Sequence, residues 1–135
     1  MSATSPSTDE PAVVHRSCLG YDETIRQLSA AIVAAGSRMF ATIDQRAAAR
    51  DVGLELRPTT LIVFGNPKAG TLLMDASPLF ALELPLKLLT WESDGAVFVA
   101  YAPASAAAQR YGVTGHDQQL AAMDAALDNL ARSVS

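Results

Sequence analysis

Between Thr60 and Gly95 the chain has few ways to fold. The run Thr60 to Phe64 (TLIVF) is almost continuously apolar and short, which predicts one strand inside a sheet with both faces covered. Residues 65–70 (GNPKAG) interrupt it as a loop, and Thr71 to Ala76 is predicted as a short helix. Ser77-Pro78 opens the next turn, with Ser77 as cap and Pro78 at a first helical position. Leu84 to Glu92 is predicted as a strand. Its Pro85 has no backbone donor and belongs at the strand's first residues or on an edge. Ser93-Asp94-Gly95 follows, and an Asp-Gly pair suits the positive backbone angles of a tight primed turn. Ala96 to Tyr101 returns with alternating Val97, Val99 and Tyr101. These two strands must therefore be antiparallel neighbours.

The flanks read as packing for that centre. Ala12 to Ser17 is a short candidate strand. Tyr21 to Ala35 carries Tyr21, Ile25, Leu28, Ile32 and Ala35 at helical spacing, with Asp22 placed to cap or charge the first turn and Gly36 to stop the helix. Arg38 to Asp44 alternates Met39, Ala41 and Ile43 against Phe40 and Thr42, a strand with one buried face. Asp44 ends it and can cap a helix from Gln45 to Val52. Pro103 to Tyr111 is an alanine-rich helix. Asp117 to Val134 bears Leu120, Met123, Leu127, Leu130 and Val134 in one stripe, which suits a core face better than a dimer seam. The expected class is α+β: one compact domain over residues 12–135, with a mostly antiparallel β-sheet packed against helices.

Composition narrows the function classes. At 135 residues the chain is one domain's worth and needs no staple. The formal net charge is −4 and the basic residues are scattered, which argues against a nucleic-acid or anionic-membrane surface. No apolar run is long enough to span a bilayer. The single cysteine, Cys18, excludes an internal disulfide, so a cytoplasmic setting is expected. Residues 1–11 lack a signal-peptide pattern, and their Ser, Thr, Pro and acids predict a disordered tail. His15 and Cys18 stand in H-x-x-C spacing without two further ligands, so no metal and no cofactor are expected. A strand end with an inert buried thiol is the plainer account.

The sharpest chemical feature is Gly65 to Thr71. Consecutive backbone N–H groups entering a helix can face an anion, and Lys68 adds a full charge. The spacing Gly65 to Gly70 resembles a phosphate-binding Walker loop, but Thr71 stands where that motif requires Lys. A tight turn using Gly and Pro for geometry, with Lys68 in solvent, remains the plainer reading. If the two strand ends lie side by side, Asp44 faces the loop and pairs with Lys68; otherwise it is simply a cap. Lys87 falls mid-strand, where solvent exposure is usual, and Trp91, Tyr101 and Tyr111 read as core or rim aromatics. No nucleophile–base–orienter set is visible, and acid/base chemistry would fall to carboxylates such as Asp44, Glu83 or Glu92.

The segments FATID (40–44), LIVFGNPKAGT (61–71) with Leu73-Met74, LPLK (84–87) and Asp94-Gly95 closely resemble the domain of unknown function family 302. The resemblance covers about residues 12 to 133. It implies a compact bacterial α+β domain, with a dimer in keeping, and no established reaction or cofactor. The family often carries Ile-Asp-His where this chain has Ile43-Asp44-Gln45, and Gln45 cannot titrate. The leading expectation is a domain binding a small polar or anionic ligand through Asp44, Gly65, Asn66, Lys68, Gly70 and Thr71. The alternatives are an enzyme of unknown class using Asp44 and Lys68, or a dimerisation module acting through the final helix.

Overall fold

Asp94 and Gly95 both have positive φ, 52° and 80°, as a tight primed hairpin requires. They join β4 (Leu86–Ser93) to β5 (Ala96–Tyr101), antiparallel from Leu89 opposite Ala100 to Ser93 opposite Ala96. The structure, a computed structural model, describes residues 12–135. The expected disordered tail, residues 1–11, lies outside the described residues. β3 (Thr59–Gly65) runs antiparallel to β4, and β2 (Arg38–Asp44) lies antiparallel on its outer side. β1 (Val13–Arg16) pairs with β5 and completes the order β1-β5-β4-β3-β2. The fold class is α+β as expected, and every strand pair is antiparallel.

Five helices connect and cover these strands: α1 (Tyr21–Ala34), α2 (Gln45–Asp51), α3 (Pro67–Ala76), α4 (Ala104–Arg110) and α5 (Asp117–Arg132). A 3-10 segment, Pro78–Glu83, links α3 to β4. Strand alternation puts Ile62, Phe64, Leu88, Val99 and Tyr101 on one face of the sheet. Leu28 and Ile32 of α1, with Leu127 and Leu130 of α5 and Val134 beyond it, pack on that face. Leu28, Ile32, Ile62, Leu88 and Val99 are fully buried, each worth about 1.5–3 kcal/mol of transfer free energy. A second cluster gathers Leu73, Phe80, Ala104, Ala107, Ala108, Leu120 and Met123, and Leu86 packs against both clusters.

Several expectations need correction. β3 is interior, but only alternate residues are buried; Leu61 and Val63 are half-buried because no helix covers the second face as fully. On that face Trp91 stacks on Phe98 with centroids 5.2 Å apart. β2 has no buried face, because it is the sheet edge; Met39 alone is half-buried, and a register shift between Met39 and Ala41 displaces Phe40. Gly20, not Asp22, is the N-cap of α1, while Asp22 charges its first turn; Ser77 holds the N-cap position before Pro78 as expected, without a side-chain hydrogen bond. Cys18 is exposed rather than buried. The stripe of α5 is spent inside the core: Leu120, Met123, Leu127, Leu130 and Val134 are all buried. That stripe is therefore not free to form a dimer seam.

The GNPKAG segment also differs from its expected form. Asn66 is an N-cap, its Oδ1 accepting from the Lys68 N–H at 3.0 Å, and Pro67 takes the first helical position. The helix thus begins four residues earlier than the pattern at Thr71 suggests, because Asn-Pro is itself a start signal. Gly70 is a helix-interior residue. A Cβ there would meet Leu84 Cδ1 and Met74 Cε at 3.8 Å each, an ordinary contact.

β5 and α5 are tied by a polar cluster. Tyr101 donates to Asp128 Oδ1 at 2.9 Å, and Arg132 Nε donates to Asp128 Oδ2 at 2.5 Å. His15 stacks on Tyr101, and its Nε2 lies 3.3 Å from Asp128 Oδ1 without an aligned hydrogen bond. Arg132, then Tyr101, hold the Asp128 carboxyl below the usual carboxylate range. Burial, reinforced by the bond to Asp128, pushes the Tyr101 hydroxyl up to about 12.

Two outcomes follow from these local structures. Asn66→Ala should lower the unfolding free energy by about 0.5–2 kcal/mol through loss of the cap. Gly70→Ala should raise it by roughly 0.5–1 kcal/mol by favouring the helix. Chemical denaturation checks both, and a loss at Gly70→Ala would contradict the contact distances. A raised Tyr101 pKa means the fold holds that proton more tightly than the unfolded chain does. Stability is then full below pH 10.0, the group's ordinary value, and falls as pH rises through about 12. Tyr101→Phe should reduce that alkaline slope, and an unchanged slope would refute the assignment.

Candidate functional site

β3 delivers the chain to Gly65 at one end of the sheet. There Gly65 lies opposite Arg38 of β2, and Phe64 lies opposite Leu86 of β4. α3 follows from this end, and the Leu84-Pro85 segment closes in beside it: a Cβ on Gly65 would meet Pro85 Cβ at 3.5 Å. The helix α5 passes the same end with small residues, Ala122 and Ala126, turned toward the gap. Alanine does not fill that space. What remains is a cavity of about 570 Å³, reachable from solvent, at the boundary of the two core clusters.

The walls come from distant parts of the chain. Phe64 and Gly65 belong to β3, Asn66 is the cap that follows, and Gly70, Thr71 and Met74 belong to α3. Leu84, Pro85 and Leu86 come from the entry to β4, Phe40 from the bulge of β2, and Ser37 from the turn after α1. Gln118, Gln119 and Met123 come from the first turns of α5. Ser37, Asn66, Thr71, Gln118 and Gln119 bring uncharged polar groups, and the lining has no charged side chain.

The six residues named from the sequence separate into two groups. Gly65, Asn66, Gly70 and Thr71 line the cavity together. Lys68 is exposed on the outer side of α3 and is not part of the wall. Asp44 is elsewhere. Antiparallel pairing puts it opposite Thr60, five residues back along β3 from Gly65, or about 17 Å at the rise of an extended strand. Its Oδ1 accepts from the Ala47 N–H at 2.9 Å, so it caps α2. The expected Asp44–Lys68 pairing is therefore overturned by strand direction: the end of β2 meets the beginning of β3.

The anion-binding expectation weakens for a local reason. Pro67 has no N–H, and Asn66 occupies that of Lys68. Two of the donors a helix start offers are thus absent or engaged. Two other carboxylates, Glu83 and Asp124, have structural partners. Glu83 accepts from Arg110 at 2.8 Å and from Tyr111 at 3.3 Å. Asp124 accepts from the Ala104 and Ser105 N–H groups at the start of α4. Among the described residues, no group of three or more His, Cys, Asp or Glu is placed to hold a metal ion.

Sequence reasoning missed Phe40, Gln118, Gln119 and Met123. Phe40 projects here only because of the bulge, which no local pattern announces. The glutamines read as ordinary first-turn polar residues until α5 is docked. Met123 is part of the core stripe and touches the cavity as well.

Comparison with known proteins agrees with this architecture. Over 92 residues the chain is 38% identical to proteins named fluoride-specific ion channel FluC 1 from Brucella suis and Brucella abortus. The match covers 67% of this chain but 36% and 34% of those relatives, so the chain spans about a third of their length. A crystal structure of an uncharacterized conserved protein DUF302 from Bacillus stearothermophilus superposes with a TM-score of 0.85. That alignment covers 92% of this chain and 98% of the other at 15% identity, a likeness of fold. The family model described as domain of unknown function DUF302 matches residues 13–130, and the chain belongs to the DUF302 family.

Proposed function

We propose that this chain binds a small molecule in the cavity beside the start of α3. The supporting observation is the unfilled space itself. A solvent-open cleft of about 570 Å³ falls in the size range of ligand sites. Gly65, Asn66, Gly70 and Thr71 stay in the binding set, Phe40, Gln118, Gln119 and Met123 join it, and Lys68 and Asp44 leave it. An enzyme that needs Asp44 and Lys68 at one reacting centre is incompatible with the β2–β3 register. The lone exposed thiol of Cys18 suits a reducing cytoplasm.

The fluoride-channel relatives invite a link to ion transport. We read the shared third as a domain that accompanies such a channel, not as its conducting part. No helix among the described residues is long and apolar enough to cross a membrane. Fluoride itself suits the cavity poorly, because a small buried anion requires charge or several free donors, and the wall carries no charge. A second reading concerns assembly. The sheet face bearing Leu61, Val63, Leu89, Trp91 and Phe98 is half-exposed, and a second copy packed there would form a homodimer. Sedimentation should then show a dimer that Trp91→Glu dissociates; a native monomer at high concentration would refute it.

Ligand binding is tested by a thermal-shift screen over a metabolite library. A ligand at a hundredfold its Kd adds about 2.7 kcal/mol to the native state. Hits should stabilise the native chain and Lys68→Ala alike, and should fail on Ala126→Phe, which fills the cavity. Equal stabilisation of Ala126→Phe, or loss of the effect in Lys68→Ala, would refute this location.

A further inference from the structure

We infer that the cavity selects an uncharged, largely apolar molecule carrying one neutral polar group, such as an ester, ketone or amide; this rests on the binding reading above. The sequence suggested a small polar or anionic ligand, and three observations argue against the anion. First, no lining side chain is charged. A carboxylate or phosphate moved from water into such a wall loses its hydration with no countercharge in the wall itself; the Arg38 guanidinium lies over the Phe40 ring, 5.8 Å from its centroid, and is not part of the lining. Second, the helix start that might replace it is depleted. Pro67 has no donor, the Lys68 N–H is bonded to Asn66, and the Lys68 ammonium is outside. Third, the wall is mainly apolar, built from Phe40, Phe64, Met74 and Met123. Phenyl rings contribute large contact area, and thioethers adapt to irregular shapes.

The polar part of the wall is three carboxamides with two hydroxyls, Ser37 and Thr71. Asn66, Gln118 and Gln119 each end in a carboxamide. A carboxamide both donates and accepts, so it can hold a carbonyl or an amide, but it cannot neutralise a full charge. The site thus reads shape and one neutral polar group. It discriminates against ions by the cost of stripping their water rather than by a repelling charge.

A matched pair of fluorescent probes tests this. Phenyl-naphthylamine is neutral, and anilinonaphthalene sulfonate has the same rings with one added sulfonate. The neutral probe should bind the native chain at least about tenfold more tightly, a desolvation penalty typical of an uncompensated charge. Its binding should be insensitive to salt. Ala122→Phe and Ala126→Phe, each checked for native circular dichroism, should abolish it, because either fills the cavity. Gln119→Lys should shift preference toward the sulfonate by adding the missing charge. If the sulfonate binds more tightly than the neutral probe and both are lost in the filled variants, the cavity is a site but its selectivity is anionic, and this inference alone falls. If neither probe is lost in the filled variants, or neither binds, the binding reading falls and takes this inference with it.

Discussion

One face of a twisted antiparallel sheet has to be kept dry, and most of the structure is arranged around that requirement. Ile62, Phe64, Leu88, Val99 and Tyr101 project from three adjacent strands, and α1 and α5 cover them with Leu28, Ile32, Leu127 and Leu130. Truncating any of the fully buried leucines or isoleucines here would cost about 2–5 kcal/mol, a large part of a typical domain's net stability. Register follows from the same requirement. A slip of one residue in β3 would turn Ile62 and Phe64 to the opposite face, so the pairing of β2, β3 and β4 has little freedom.

The cavity is a consequence of how the two ends of α5 are used. Its later turns press Leu127, Leu130 and Ala131 onto the sheet, while its early turns lie over α4 and the Phe80 region through Leu120 and Met123. Between these contacts the helix offers Ala122 and Ala126. Side chains of that size cannot reach from the helix to the end of β3. The space left over is bounded by carboxamides, hydroxyls and apolar groups; Glu83 is paired with Arg110, Asp124 sits at the start of α4, and the Arg38 guanidinium lies over the Phe40 ring, 5.8 Å from its centroid. The character of the site therefore comes as much from where charges are tied up as from which groups line it.

Much of this was legible in the chain. The Asp94-Gly95 turn, the strand Ala96–Tyr101 and the strand Arg38–Asp44 appear where pattern and turn chemistry put them. The stripe on α5 is a core stripe, as period alone suggested. The candidate site was half legible. Gly65, Asn66, Gly70 and Thr71 fall within one short stretch of sequence and line one cavity. Asp44 was misplaced because a strand end carries no mark of which neighbour it meets or in which direction. Lys68 was misplaced because the Asn-Pro helix start, once formed, rotates the second helical residue outward.

Local physics was enough to settle the hairpin, the core stripes of the helices and the α+β class, since turn angles, caps and periodicity act within a few residues. Docking settled the strand order, the exposed edge position of β2, and the meeting of Phe40, Gln119 and Met123 around an unfilled volume. Those features depend on how far side chains from distant segments extend once the helices have packed. No window of the sequence contains both sides of such a contact.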